Sequence, residues 1–366
     1  MRAICKWCLA LLLGPVACAA IGSSGAGDRD LPSAGVGPFR KLEGAELLGV
    51  APFVLDSNIA HYRDPAILPL DPASGDTRVA LFVVATEGAD AGARDVIVRT
   101  RADDARSFFG TSSDTGHAPR AVLRPDAPWE GGRIAGPAPV WIGGSVFLYY
   151  AGAGGIGLAR SLDGITFKKE PAPVLARDPS VAWETAAPSA PSVAVYPDGA
   201  IRMLYAAGGA IFEAESADGL TWRRLGDGPV LEPSVEPDPS SLGLGEKPPF
   251  DTAGVTDPCL APRTTAAGRL HVRVLYTGID RTGQSAIGFA ARYGERGPLS
   301  RQVAAVSAVG KRESGPALFE WAEGSLLYVQ QDHQGGLGGA PYPAIAAAFA
   351  PANLKLAAAL TFADGP

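Results

Sequence analysis

The 366-residue sequence is short of cysteine, with four in all, at positions 5, 8, 18 and 259. Three of them fall in the first 18 residues. The body therefore holds a single thiol, Cys259, which excludes an internal disulfide framework and any Cys-x-x-Cys metal pair. Clustered positive charge is lacking too: 32 Lys and Arg stand against 38 Asp and Glu, with no basic run past the leader. Phosphate-backbone recognition needs a concentrated cationic face, so nucleic acid is excluded as a partner. No apolar stretch reaches the roughly 20 residues that a membrane-spanning helix requires. Gly-x-Ser-x-Gly, HExxH and Walker sequences are missing, and Gly152-Ala153-Gly154-Gly155 lies between strands without the following helix of a phosphate cradle.

What the sequence does have is turns. Its 46 Gly and 32 Pro make 78 of 366 residues, too many breakers for a helical bundle. Hydrophobic residues at 46% suffice for a large core, although much of that share is Ala. The combination predicts an all-β protein of many short strands.

The N-terminus reads as a bacterial secretory signal over residues 1–17: Arg2 and Lys6, the apolar Leu9–Leu13, then small residues up to Cys18. Pro15-Val16-Ala17-Cys18 resembles a lipobox, with Pro15 where Leu is usual, and would make Cys18 the lipidated mature N-terminus. The alternative is an ordinary signal removed together with its cysteines. Residues 18–40 read as a Gly/Ser-rich tether, leaving 41–366 as the folded part. The expected location is the cell envelope, or the periplasmic or extracellular space.

The folded part repeats. Asp64-Pro65-Ala66-Ile67, Gly136-Pro137-Ala138-Pro139, Ala190-Pro191-Ser192-Val193, Asp257-Pro258-Cys259-Leu260 and Gly315-Pro316-Ala317-Leu318 share one pattern, their prolines spaced by 72, 54, 67 and 58 residues. Each is followed by an aromatic-bearing run that reads as a strand, around Phe82, Tyr149, Tyr205, Tyr276 and Tyr328. Ser161-Leu162-Asp163-Gly164-Ile165-Thr166-Phe167 recurs 55 residues later as Ser216-Ala217-Asp218-Gly219-Leu220-Thr221-Trp222, with a degenerate copy at Arg101–Asp104 before Phe108. Units of this length with four short strands each are propeller blades, and five of them converge on one axial funnel. The Ala-rich tail from Pro343 is predicted to supply closing strands of the last blade; a helix is the alternative.

Tyr62-Arg63-Asp64-Pro65-Ala66-Ile67-Leu68, the Ser-x-Asp-Gly-x-x-Phe/Trp blade ends and Glu313-Ser314-Gly315-Pro316-Ala317-Leu318-Phe319 resemble the five-bladed β-propeller glycosidases, the superfamily of arabinanases, β-xylosidases, invertases and levansucrases. The resemblance covers roughly residues 45–360. It implies hydrolysis of an oligo- or polysaccharide by a carboxyl pair, one group donating a proton and the other activating water or attacking carbon. Asp64 matches the position of the superfamily's base or nucleophile, and Asp257 is its counterpart in the fourth blade. The resemblance also expects a second-blade Asp, where this sequence has Gly136, and a third-blade Glu, where the motif position is Ala190. Glu184 and Glu313 are the candidates for the acid. Tyr62, Arg63, Trp141, Trp183 and Gln331 are candidates for sugar contacts, and His333 lies where some relatives place a histidine near a central calcium ion. No other cofactor is expected. The competing reading is a non-catalytic surface propeller that binds a glycan or a protein, with Asp-Pro steps that only start strands.

Overall fold

The computed structural model describes residues 39–48, 59–88, 92–108, 119–238, 240, 242, 248–265, 268–302, 305–306, 312–333 and 342–351. The expected signal segment, Cys18 and all of the tether up to residue 38 lie outside them. The described strands form five antiparallel sheets, one per repeat. Their innermost strands are Ile59–Pro69, Ala135–Ile142, Ser189–Val195, Gly254–Thr264 and Ser314–Trp321. Each pairs with a second strand that carries the predicted aromatic run: Val79–Glu87, Ser145–Gly152, Ile201–Ala207, Leu270–Ile279 and Gly324–His333. This is the five-bladed propeller.

The fifth blade is made from both ends of the folded part. Tyr342–Pro351 is a strand, as predicted, with Ala344, Ile345, Ala346, Ala347 and Ala348 all buried. Arg40–Leu48 pairs with it as the outermost strand, with Arg40 opposite Phe349 and Leu48 opposite Ile345. Ring closure by an N-terminal strand was not foreseen, because residues 40–48 carry no motif of the repeat.

The apolar interior is divided into five clusters, each spanning two adjacent blades. The Ser-x-Asp-Gly turns fix the register of the seams between blades. Asp163 Oδ1 accepts the N–H groups of Ile165 and Thr166, both at 2.8 Å, and Asp218 repeats the arrangement with Leu220 and Thr221. In the degenerate copy Asp104 accepts Arg106 and Ser107 in the same way. The aromatic after each turn then packs edge-on against the second-strand aromatic of the preceding blade: Phe167 on Phe82, Trp222 on Tyr149, Phe108 on Tyr328. Tyr149 and Tyr328 also donate their hydroxyls to the turn carbonyls of Gly219 and Ala105.

Candidate functional site

Every innermost strand bulges at its motif. Asp64, Gly136, Ala190, Asp257 and Gly315 have φ of 51°, 54°, 44°, 45° and 58°, all in the left-handed region. The pairing register shifts at the same five places, between Arg63 and Ala66, Ala135 and Ala138, Ser189 and Ser192, Thr256 and Cys259, and Ser314 and Ala317. The following proline has no N–H, so the bulge leaves no ladder donor orphaned there. For Asp64, Ala190 and Asp257 the left-handed φ costs on the order of 1–2 kcal/mol each. It turns these residues toward the axis, where the five motifs line a cavity of about 140 Å³.

Side chains around this ring reach forward to the next blade. Asp64 Oδ2 accepts the N–H of Gly136 at 3.3 Å. Ser192 Oγ accepts Leu260 N–H at 2.9 Å, and Cys259 Sγ accepts Leu318 N–H at 3.3 Å. The ring closes where Gln330 Oε1 accepts the N–H of Asp64 at 3.3 Å. Burial pushes the Cys259 thiol up to about 11, so it stays neutral and acts as a hydrogen-bond acceptor between blades.

Asp64 and Asp257 are the two carboxyl groups among the residues lining the cavity. Burial, followed by the charge of Asp257, pushes Asp64 up to about 6, against the opposing pull of Arg63 and the Gly136 N–H. Burial also raises Asp257, but three donors favour its charged form: the hydroxyls of Thr277 and Thr256 and the N–H of Gly315. The Thr256 hydroxyl lies 3.2 Å from Asp257 Oδ1. The opposite side of the ring is bare, with Gly136 and Ala190 as its motif residues. A Cβ on Gly136 would sit 3.1 Å from the Cα of Ala190, tighter than most real contacts, so a side chain there would press blades 2 and 3 apart by a few tenths of an ångström.

The remaining expected residues are placed elsewhere. Glu184, 2% exposed, does not line the cavity. Its Oε1 accepts the Tyr205 hydroxyl at 3.0 Å and Arg224 Nε at 2.9 Å, while Oε2 accepts Arg224 Nη2 at 2.7 Å. Glu313 is buried beside the cavity wall, two residues before Gly315, and also does not line it. Tyr62 is buried in the seam between blades 1 and 5. Arg63 is half-buried and ion-paired to Asp95 at 2.5 Å. Trp141 donates Nε1 to the Pro69 carbonyl at 2.8 Å, and Trp183 stacks on Phe212 with ring centres 4.6 Å apart. Both tryptophans therefore serve packing. Gln331 is buried in its strand opposite Ala344; its neighbour Gln330 is the one that reaches Asp64. His333 ends the same strand, opposite Tyr342, and no group of three or more His, Cys, Asp or Glu among the described residues could hold a cation. Thr256, Thr277 and Gln330 were missed from sequence, although the last two lie in the aromatic second strands that the repeats mark.

No family model matches the chain, and no curated protein matches it. Solved structures do. A family 117 glycoside hydrolase from the marine bacterium Zobellia galactanivorans is 14% identical with a TM-score of 0.56, over 85% of this chain and 89% of that one. The catalytic domain of a GH62 α-L-arabinofuranosidase from Coprinopsis cinerea is 11% identical with a TM-score of 0.58, over 86% and 97%. An α-L-arabinofuranosidase from Podospora anserina, solved in complex with cellotriose, is 13% identical with a TM-score of 0.53, over 84% and 96%. The chain thus has the propeller fold of these glycoside hydrolases, as the motif resemblance implied.

Proposed function

We propose that the protein acts on glycans as a glycosidase, with Asp64 and Asp257 as its carboxyl pair. The observation that carries this reading is the placement of both groups, desolvated, on the wall of one axial cavity, with Asp64 pushed up to about 6 by burial and by Asp257. Two carboxyl groups held in different environments are what protonation of a leaving group and activation of water require. Asp64 holds its proton up to about pH 6, well above an ordinary carboxyl, and fits the acid. Asp257, with three donors on its charged form, fits the base or nucleophile. This reverses the role that motif position suggests for Asp64. The substrate class is an oligo- or polysaccharide, in keeping with the cellotriose bound by the Podospora enzyme of the same fold. Export, with lipidation at Cys18, belongs to the same proposal.

Turnover of aryl-glycosides and of plant and microbial oligosaccharides by wild type, D64N and D257N tests it. Each substitution is expected to lower kcat/KM at least about 100-fold, and equal turnover by all three proteins would sink the assignment. One observation favours a second reading, a glycan-binding propeller without catalysis: Gly136 and Ala190 offer no carboxyl, and Asp64 already accepts a backbone N–H from the next blade. That reading expects oligosaccharide binding by calorimetry with no turnover in any of the three.

A further inference from the structure

Glu184 belongs to a second, unpredicted repeat. In blades 2, 3 and 4 an aromatic–acid pair, Trp129-Glu130, Trp183-Glu184 and Phe250-Asp251, stands with its acid six residues upstream of Gly136, Ala190 and Asp257. All three acids are buried, none more than 2% exposed. Each accepts the hydroxyl of a second-strand tyrosine: Tyr150 at 2.8 Å, Tyr205 at 3.0 Å and Tyr276 at 2.9 Å. Each also takes a cation from an outer strand: Lys169 at 2.6 Å, Arg224 at 2.7 Å and Arg301 at 2.7 Å. Those cations stand opposite Ala159, Ala214 and Ala290, whose small side chains give them room to cross the sheet.

The three locks differ at the residue after the tyrosine. In blades 2 and 3 it is Ala151 or Ala206, which can do nothing further. In blade 4 it is Thr277, almost fully buried. Adjacent strand residues point to opposite faces of a sheet, so Tyr276 engages Asp251 on one side while Thr277 serves the cavity on the other. The Thr277 hydroxyl accepts Gly315 N–H at 2.9 Å and donates to Asp257. The blade 4 acid also differs: both Arg301 and Tyr276 use Asp251 Oδ2, and buried Oδ1 has no partner.

We infer that Asp251 is a positioning residue, which acts through Tyr276 and Thr277 to fix the Asp257 carboxylate and the donors it meets. The inference rests on Asp257 belonging to the reacting pair. Asp251 touches neither the cavity nor any substrate. Its influence is transmitted by two consecutive residues of one strand, held from opposite faces.

The experiment is a ¹³C-carboxyl NMR titration of full-length wild type, D251N, Y276F, T277V, T277S and E184Q, with thermal melting of each. E184Q disrupts the equivalent lock in blade 3, which leads to Ala190 and no carboxyl group. D251N and E184Q are both expected to lower the melting temperature. D251N, Y276F and T277V are expected to raise the Asp257 midpoint, T277V by about one pH unit through loss of a donor to the charged form. T277S is expected to restore the wild-type value, and E184Q to leave it unchanged. Y276F and T277V carry the test if D251N does not fold. The inference is overturned if D251N and Y276F move Asp257 no further than E184Q does, or if T277V leaves it where it was. Titrations are read without substrate. Midpoints that move as expected in proteins with no turnover would overturn the glycosidase reading and leave the positioning role intact.

Discussion

Asp64 carries an electrostatic cost that can be measured without any substrate. Its folded-state value of about 6 lies above the ordinary 3.8, so the folded protein holds this proton more tightly than the unfolded chain does. The sign follows from linkage: the cost is absent below pH 4, grows as pH rises through 4 to 6, and is complete above that, at up to about 3 kcal/mol. D64N, whose amide oxygen can still accept the Gly136 N–H, is therefore expected to be more stable than wild type at pH 8. The difference should fade toward pH 4, as read from urea unfolding midpoints across that range. An advantage that does not depend on pH would show that the carboxyl is not desolvated in solution. The sequence displayed the x-Pro motif that carries Asp64, but not its left-handed φ, since Gly, Asp and Ala all occupy the position. The pairing shift in all five blades reveals that geometry at the positions the motif had already aligned.

At the scale of the element, the degenerate Ser-x-Asp-Gly copy in blade 1 holds an imperfection. Ala105 stands at φ 57°, where Gly164 and Gly219 have 68° and 74° in the intact copies. A Cβ there costs on the order of 1 kcal/mol. A105G is expected to raise stability by about that amount, seen as a higher unfolding midpoint with an unchanged denaturant slope. A lower midpoint would mean that packing of the buried Ala105 methyl in the seam outweighs the strain. Blade count, blade order and the Asp-Gly turns could be read from sequence because they rest on local patterns: Gly where φ is positive, Asp where two N–H groups need an acceptor. The aromatic–acid locks are equally present, six residues before three motifs, yet the sequence offers Glu184 only as one candidate acid beside Glu313. The partners that neutralise Glu184, Tyr205 and Arg224, come from different strands, and no local pattern joins them.

For the whole molecule, five seams share the core, and the two that flank the fifth blade depend on closure of the ring. Removing residues 1–48 would expose the edge of Tyr342–Pro351 along its length and take away Phe39, which packs with blades 4 and 5. A variant starting at residue 49 is expected to lose several kcal/mol and to gain hydrogen exchange first in Gly324–His333 and Tyr342–Pro351. Uniform exchange across all five blades would instead mark a single cooperative unit. The fifth blade also carries Gln330, whose Oε1 accepts the N–H of Asp64 across the closing seam.

The pairing of Arg40 with Phe349 joins points about 300 residues apart in the chain. Contacts of such separation form late, after the loop entropy they require has been offset elsewhere. Blades 1 to 4 can each assemble from neighbouring residues, so the clasp on blade 5 is expected to form after the transition state. Stabilising it would slow unfolding more than it would speed folding. The clasp thus acts as a kinetic latch, setting how long the closed ring lasts rather than how quickly the blades form.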